Sequence, residues 1–194
     1  MALRTSAPAD ALHEALDMAL RLRRDGSGDS AGIVGYGIAR LLDGDGKTIS
    51  ITPFSNLITD TGDAYYAAMG IVGVSPAAAT APTLVTGMQI GSGSTTASKA
   101  GAGAAMGTLL VGQAFDATFP KTTNLGSGNG VQAVYTTTYA AGVGTGSVQE
   151  ATITNGTVTT SSVAGNTISR ATFTSIAKGA ADSLAVTWNH LFQG

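Results

Sequence analysis

The tightest constraint on the fold lies in the second half of the chain, where short runs of alternating polarity follow one another between glycine-rich turns. Val131, Ala133, Tyr135 and Tyr139 alternate with Gln132, Thr136 and Thr138, and only Val134 breaks the pattern. Residues 147–154 follow, then the turn dipeptide Asn155-Gly156, then residues 168–177. The last run is the plainest: Leu184, Val186, Trp188 and Phe192 face one way against Ser183, Thr187 and Asn189, with Leu191 the exception. A period of two is the mark of a half-buried strand, and Asn-Gly is the strongest short hairpin signal. Several Thr-rich strands at this spacing predict a mainly β, antiparallel sandwich or barrel. Aromatic residues make up only 6% of the chain, so its core must be assembled from few large side chains. Phe173, Leu184, Val186, Trp188 and Phe192 are the candidates in the last two strands.

Upstream the pattern changes. Leu12, Leu16 and Leu20 recur every four residues, and Ala15 and Ala19 widen the stripe, which predicts an amphipathic helix over residues 6–25. Asp10 and Glu14 near its start and Arg21, Arg23 and Arg24 near its end suit the helix dipole, and Gly26-Ser27-Gly28 stops it. Two seats suit such a helix: its own domain, or a neighbouring subunit for which it is a docking arm. Residues 32–37 read as a glycine-rich passage, and Thr48-Ile49-Ser50-Ile51-Thr52 alternates as a half-buried strand should. Residues 60–70 read as a helix capped by Asp60 or Thr61, 76–82 as a proline-punctuated loop, and 85–90 as a strand. The Ala- and Gly-rich stretch 95–112 predicts loop with one short helix. This division gives a helix and linker arm over 1–45 and a β body over 46–194.

Charge is distributed very unevenly. Thirteen of the 22 charged residues fall in the first 50 positions, leaving nine for the remainder. Soluble domains surface themselves with about a quarter charged residues, whereas residues 51–194 carry roughly 6%. Such a surface offers little repulsion against self-association, which predicts a body covered by copies of itself or by a larger assembly. The net charge of −2 gives no electrostatic reason for nucleic acid or an anionic membrane as partner. The chain has no cysteine, which excludes disulfides, thiolate metal sites and thiol nucleophiles. Neither a secretory leader nor an apolar run of membrane-spanning length is read from the sequence.

Fragments that suggest chemistry fail on spacing. Gly44-Asp45-Gly46-Lys47-Thr48 resembles the end of a phosphate-binding loop, but Leu41 stands where its first glycine is needed. A twelve-residue calcium loop starting at Asp43 would need glutamate where Phe54 stands. Asp60-Thr61-Gly62 is the fragment from which a dimeric aspartic protease would take its carboxylate, yet Thr59 breaks the apolar run before it. His13 and His190 have no clustered acids or cysteines around them in sequence, so neither metal ligation nor a catalytic triad is expected. Glu150 and Arg170 are expected to pair across strands or between subunits. No catalytic residue and no cofactor follow from the sequence.

Residues 169–179 (Ser-Arg-Ala-Thr-Phe-Thr-Ser-Ile-Ala-Lys-Gly) and 182–194 (Asp-Ser-Leu-Ala-Val-Thr-Trp-Asn-His-Leu-Phe-Gln-Gly) resemble the C-terminus of small β-rich virion proteins of tailed bacteriophages. Asn56-Leu57-Ile58-Thr59-Asp60-Thr61-Gly62-Asp63-Ala64-Tyr65-Tyr66 and Gln89-Ile90-Gly91-Ser92-Gly93-Ser94-Thr95-Thr96 look like segments of the same group. The resemblance covers residues 48–194 and leaves out the N-terminal helix. It implies a jelly-roll-like sandwich that coats or cements a capsid, or a β module of the tail, and it carries no catalytic residues. The expected role is a non-enzymatic head decoration protein on the capsid surface, assembled in the host cytoplasm. Its expected partners are the major capsid protein and itself, as a dimer or trimer. Leu12, Leu16, Leu20, Arg21 and Arg24 are then the candidate interface. A tail or fibre-adaptor protein is the alternative within the virion. A carbohydrate-binding module using Tyr135, Tyr139 or Trp188 as a sugar platform is the alternative outside it, although Trp188 sits on the apolar side of its strand.

Overall fold

The computed structural model describes residues 32–71, 82–126 and 130–192. The helix expected over residues 6–25 and its candidate interface residues lie outside the described residues. The described chain forms nine strands, one α-helix and two short 3-10 turns (Gly101–Ala104 and Ala164–Asn166): β1 (Ile33–Leu42), β2 (Thr48–Ile58), α1 (Asp60–Ile71), β3 (Gly87–Gly91), β4 (Leu109–Gln113), β5 (Lys121–Asn124), β6 (Val131–Tyr139), β7 (Gly146–Thr154), β8 (Thr167–Lys178) and β9 (Ser183–Phe192). The fold is mainly β. The strands make one curled sheet in the order β4-β3-β7-β8-β2-β1-β9-β6-β5. Every pairing of neighbours in it is antiparallel.

β2 is the corner. It pairs with β1 up to Asn56, while its last two residues, Leu57 and Ile58, pair with Arg170 and Ser169 of β8. One strand therefore joins a five-stranded half (β2-β1-β9-β6-β5) to the half containing β8, β7, β3 and β4. The curl carries β6 over β3, where the Tyr139 hydroxyl donates to the Met88 carbonyl at 2.8 Å. Between the halves lies the core. Trp188 is fully buried, its ring 5.1 Å edge-on from Phe54, and Phe54 stacks on Phe173 at 5.3 Å. Burying each such side chain contributes about 1.5–3 kcal/mol. Leu184 and Val186 are also fully buried, whereas Phe173 and Phe192 are half-buried against the same cluster.

β6 pairs with β9 along its length, and β7 pairs with β8. Together they form one long two-stranded ribbon folded over at residues 140–145 and 179–182. Lys178 pins that fold. Its buried ammonium donates to Ala140 O at 3.0 Å and Asp182 O at 2.7 Å, one carbonyl from each corner. Burial lowers its pKa, with Asp182 pulling the other way.

Several elements differ from the sequence reading. The glycine-rich passage at 32–37 is part of β1, a strand paired on both sides, so residues 33–42 belong to the body and not to a linker. Gly35 and Gly37 are there for close approach and not for a turn. A Cβ at Gly37 would lie 2.4 Å from the Phe54 ring and 2.6 Å from Thr187 O. Asn155-Gly156 does not make a two-residue turn. β7 and β8 are joined by residues 155–166, closed by Asn155 N donating to Asn166 O at 3.1 Å. The α1 cap is Thr59, whose Oγ1 accepts from Gly62 N at 3.0 Å, and not Asp60 or Thr61. Asp60 and Asp63 occupy the first turn, where the helix dipole favours them.

Candidate functional site

Two clusters inside the protein each bring several ionisable side chains together. In the first, Glu150 on β7 and Arg170 on β8 are both wholly buried and share a bond of 2.7 Å from Nη2 to Oε2. Glu150 also accepts backbone N–H groups from Gly93 (2.7 Å), Gly107 (3.0 Å) and Thr108 (2.8 Å). Arg170 Nη1 donates to Gly103 O at 2.9 Å. Both ends of the long β3–β4 loop, and its middle, are thus tied to one ion pair. Burial alone would raise the Glu150 pKa; the Thr108 and Gly107 amides and the Arg170 guanidinium outweigh it and hold the carboxyl below its ordinary value. A carboxylate held ionised with its oxygens saturated by donors is an anchor and not a general acid.

The second cluster is a chain of side chains from five elements: Ser169 (β8), Asn56 (β2), His190 (β9), Tyr66 (α1) and Tyr135 (β6). The Asn56 amide nitrogen donates to Ser169 Oγ and lies 3.3 Å from His190 Nε2. The other ring nitrogen, Nδ1, is 2.5 Å from the Tyr66 hydroxyl, which is 2.9 Å from that of Tyr135. With an amide donor opposite Nε2, the ring proton belongs on Nδ1 and is donated to Tyr66. Burial pushes the His190 pKa down to about 3, so the imidazole is neutral at physiological pH. It pushes the Tyr66 hydroxyl well up and that of Tyr135 to about 12. A nucleophile needs its base within hydrogen-bonding reach, but here the amide stands between the serine and the imidazole. His190 is therefore far from solitary, yet it fastens α1 to the sheet and activates nothing. Sequence spacing could not reveal this, because its partners lie 134 and 124 residues away.

Beside this chain a cleft of about 940 Å³ opens between the start of β1, the end of β2 and α1. Ile33, Leu57 and Phe192 supply apolar wall, and Asp63 and Lys99, joined as a half-exposed ion pair, stand at its lip. Asp60 itself is exposed on the first helical turn, and its N–H donates to Lys99 O at 2.9 Å. The Asp-Thr-Gly fragment thus opens a helix and forms no protease loop. Tyr135, Tyr139 and Trp188 are buried at 4%, 0% and 0% exposure, which removes each as a sugar platform. Among the described residues no group of three or more His, Asp or Glu side chains is gathered as a metal site, and none of the helices is long and apolar enough to cross a membrane.

The most unusual surface is the outward side of the five-stranded half. The register aligns Ile51, Arg40, Ala185 and Thr138 in one row, Pro53, Ile38, Thr187 and Thr136 in the next. The alternation at 48–52 has the period of a strand, but its isoleucines point away from the core: Ile49 is 47% exposed, and the residues aligned with Thr52 are buried Ala39 and Val186. Arg40 is the one residue of Asp, Glu, Lys or Arg type in β1, β2 and β9 together. Across β9, Gln132 Nε2 donates to the Tyr36 hydroxyl at 2.6 Å, which stiffens the face.

Comparison with known proteins returned no match: no family model, no curated protein and no solved structure is similar to this chain.

Proposed function

We propose that this chain is a non-enzymatic virion structural protein of a tailed bacteriophage, a head decoration or cement protein that binds and stabilises the shell of the major capsid protein. The observation that carries the reading is the charge of the surface. Of the nine charged residues beyond position 50, Glu150, Arg170 and Lys178 are buried, which leaves Asp60, Asp63, Lys99, Asp116, Lys121 and Asp182 outside. Several of these are already engaged. Asp63 pairs with Lys99, Asp116 accepts from Thr138 N and Oγ1, and Asp182 closes the turn at Gly179. What faces outward is therefore mostly threonine, serine, alanine and glycine, a surface fit for close packing among neighbours.

Two further features support the reading. The folded two-stranded ribbon of β6–β7 against β9–β8 is the unit from which a jelly-roll-like sandwich is wound. The C-terminal strands and the segments at 56–66 and 89–96 resemble virion proteins of this kind. As a mechanism, a protein that bridges capsid subunits resists shell strain through buried area and needs no reaction. The test is quantitative mass spectrometry of heads and tails separated from purified virions, with sedimentation of the purified protein alongside expanded shells. Many copies in heads and saturable binding to shells are expected. Recovery with tails alone would assign the fibre-adaptor role, and a dilute-solution monomer indifferent to shells would sink the decoration reading.

A further inference from the structure

We propose that Pro53 guards an open sheet edge: it keeps β2 of one copy from adding as a strand to β2 of another, so that copies of this chain meet by their faces and not by this edge. The inference stands whether or not the protein belongs to a virion. β2 turns the corner between the two halves, and over most of its length it has a strand partner on one side only among the described residues. Residues from Thr48 to Asn56 pair with β1, whereas only Leu57 and Ile58 pair with β8. Successive residues of a strand point their N–H and C=O groups at opposite neighbours. Thr59 N–H donates to Ile168 O of β8 at 3.1 Å. Counting back in twos, Leu57, Ser55, Pro53 and Ile51 send their backbone groups the same way, while Asn56, Phe54, Thr52 and Ser50 send theirs to β1. Proline has no N–H to give. At position 53 that lack costs the β1 ladder nothing and falls wholly on the open side, the place where a strand tolerates proline.

Without the proline this edge would be a template for a second copy. None of the residues from Thr48 to Asn56 is charged, and threonine, isoleucine and phenylalanine are strong strand formers. An identical edge is complementary to it under a two-fold axis. Laid antiparallel about residue 53, Ile51 of one copy falls opposite Ser55 of the other, and position 53 falls opposite itself. That central pair calls for one N–H from each copy. Proline removes both and fills the gap with its ring. Exposed edges are blunted by charge, by bulges, by shortness or by proline. The other open edges use the first three devices. β4 and β5 are five and four residues long, and β5 begins with Lys121. On β8, Phe173, Thr174 and Ser175 stand opposite Gln149 alone, an irregularity that bends the strand where it parts from β2. β2 is long and uncharged, and proline is the device that remains to it.

Hydrogen exchange on the unsubstituted protein reads the alternation. The amides of Thr52 and Phe54 are expected to exchange about tenfold slower, or more, than those of Ile51 and Ser55. Equal protection would mean that the edge is covered and would overturn the proposal. Pro53→Thr then supplies the missing donors. The two bonds regained in the central pair raise the self-association constant about tenfold or more, read by sedimentation velocity over a concentration series. Ile51 and Ser55 are expected to become protected only as this variant associates. Pro53→Thr with Ser55→Pro moves the guard to the next residue facing the open side, and both readings should return to those of the parent. Pro53→Thr with Ser55→Ala should leave them raised. Parent-like sedimentation of Pro53→Thr, or equal association of the two double variants, would overturn the proposal. So would loss of the fold in Pro53→Thr, read from Trp188 fluorescence, because a nitrogen facing an open edge gives threonine nothing to disrupt.

Discussion

Lowering the pH from 7.5 to 5 protonates His190 in the unfolded chain and leaves it neutral in the folded one. The unfolded imidazole titrates near 6.5, the folded one near 3 because burial disfavours its charged form. A folded pKa below the unfolded value means that the unfolded state takes up the proton first, so stability falls as the pH drops through 6.5 and levels off only near 3. Within that window the slope approaches 1.4 kcal/mol per pH unit, and the loss between pH 7.5 and 5 is about 2 kcal/mol. For a domain of this size that lowers Tm by about 4–8 °C. Glu150 does not confuse the measurement. Its folded pKa is lowered from 4.5, so its contribution is complete above 4.5 and is lost only below it. Urea denaturation at intervals of half a pH unit, followed by tryptophan fluorescence from Trp188, reads the slope directly. His190→Gln keeps hydrogen-bonding groups and removes the proton site; its stability is expected to be lower at pH 7.5 but nearly flat down to pH 5. His13 is present in both proteins and cancels. A parent protein whose midpoint does not move between pH 7.5 and 5, or a variant that retains the parent's slope, would refute the burial argument.

Glu150→Gln should cost about 3–5 kcal/mol, because it leaves the buried Arg170 charge uncompensated. The amides of Gly93, Gly107 and Thr108 should then lose hydrogen-exchange protection together, and separate behaviour would show that the loop is not held by one node. Lys178→Met removes the donor shared by Ala140 O and Asp182 O and should cost about 1–3 kcal/mol per carbonyl left dry, measured as a drop in urea midpoint. Gly37→Ala should destabilise by about 1–3 kcal/mol or more, since its Cβ would meet the Phe54 ring and a backbone carbonyl. Gly165→Ala, with nothing within 4 Å of its Cβ, serves as the neutral control in the same calorimetric series.

What could be read from the sequence was local. β7 and β8 are buried on both faces over Glu150–Thr154 and Thr167–Ala171, but β6 and β9 announce themselves because one side of each is buried and the other is not, and a period of two needs no partner to be seen. α1 was legible for the same reason, although its cap was misplaced by one residue or more, since Thr59, Asp60 and Thr61 all have capping side chains and only the bond to Gly62 N decides. β1 was hidden by Gly35 and Gly37, whose reason is a neighbour's side chain far away in sequence. β4 and β5 are five and four residues long and sit at the sheet edges, where little burial imposes a pattern. β3 shows no alternation because all five of its residues are buried. On its outward side the side chain of Gln89 donates to Val158 O at 2.7 Å and Thr160 O at 2.6 Å. The pairing of Glu150 with Arg170 was readable from their isolation among neutral strands. The His190 chain was not, because it needs five elements in place first.

The structure sharpens the meaning of the scarce charge. A chain with few ionised groups could keep all of them at the surface, where they cost least. This one instead sinks a carboxylate, a guanidinium and an ammonium into the body, each saturated with partners. Buried ions bring little net stability, since desolvation consumes most of what their pairing returns, and their best-attested value is in fixing one arrangement among alternatives. Here the places they fix are specific: the β3–β4 loop for Glu150 and Arg170, and the two corners of the folded ribbon for Lys178. Both are irregular segments rich in glycine, alanine and serine, with few large side chains to hold them by packing. The charges withdrawn from solvent thus set the shape of the edges, while the exterior is left free of the repulsion that would keep copies apart. If that division is right, substituting threonines on the outward side of β6 with glutamate should leave the fold intact and disrupt only assembly. Circular dichroism and sedimentation velocity on Thr136→Glu together decide it: an unfolded variant, or one that assembles like the parent, contradicts the argument.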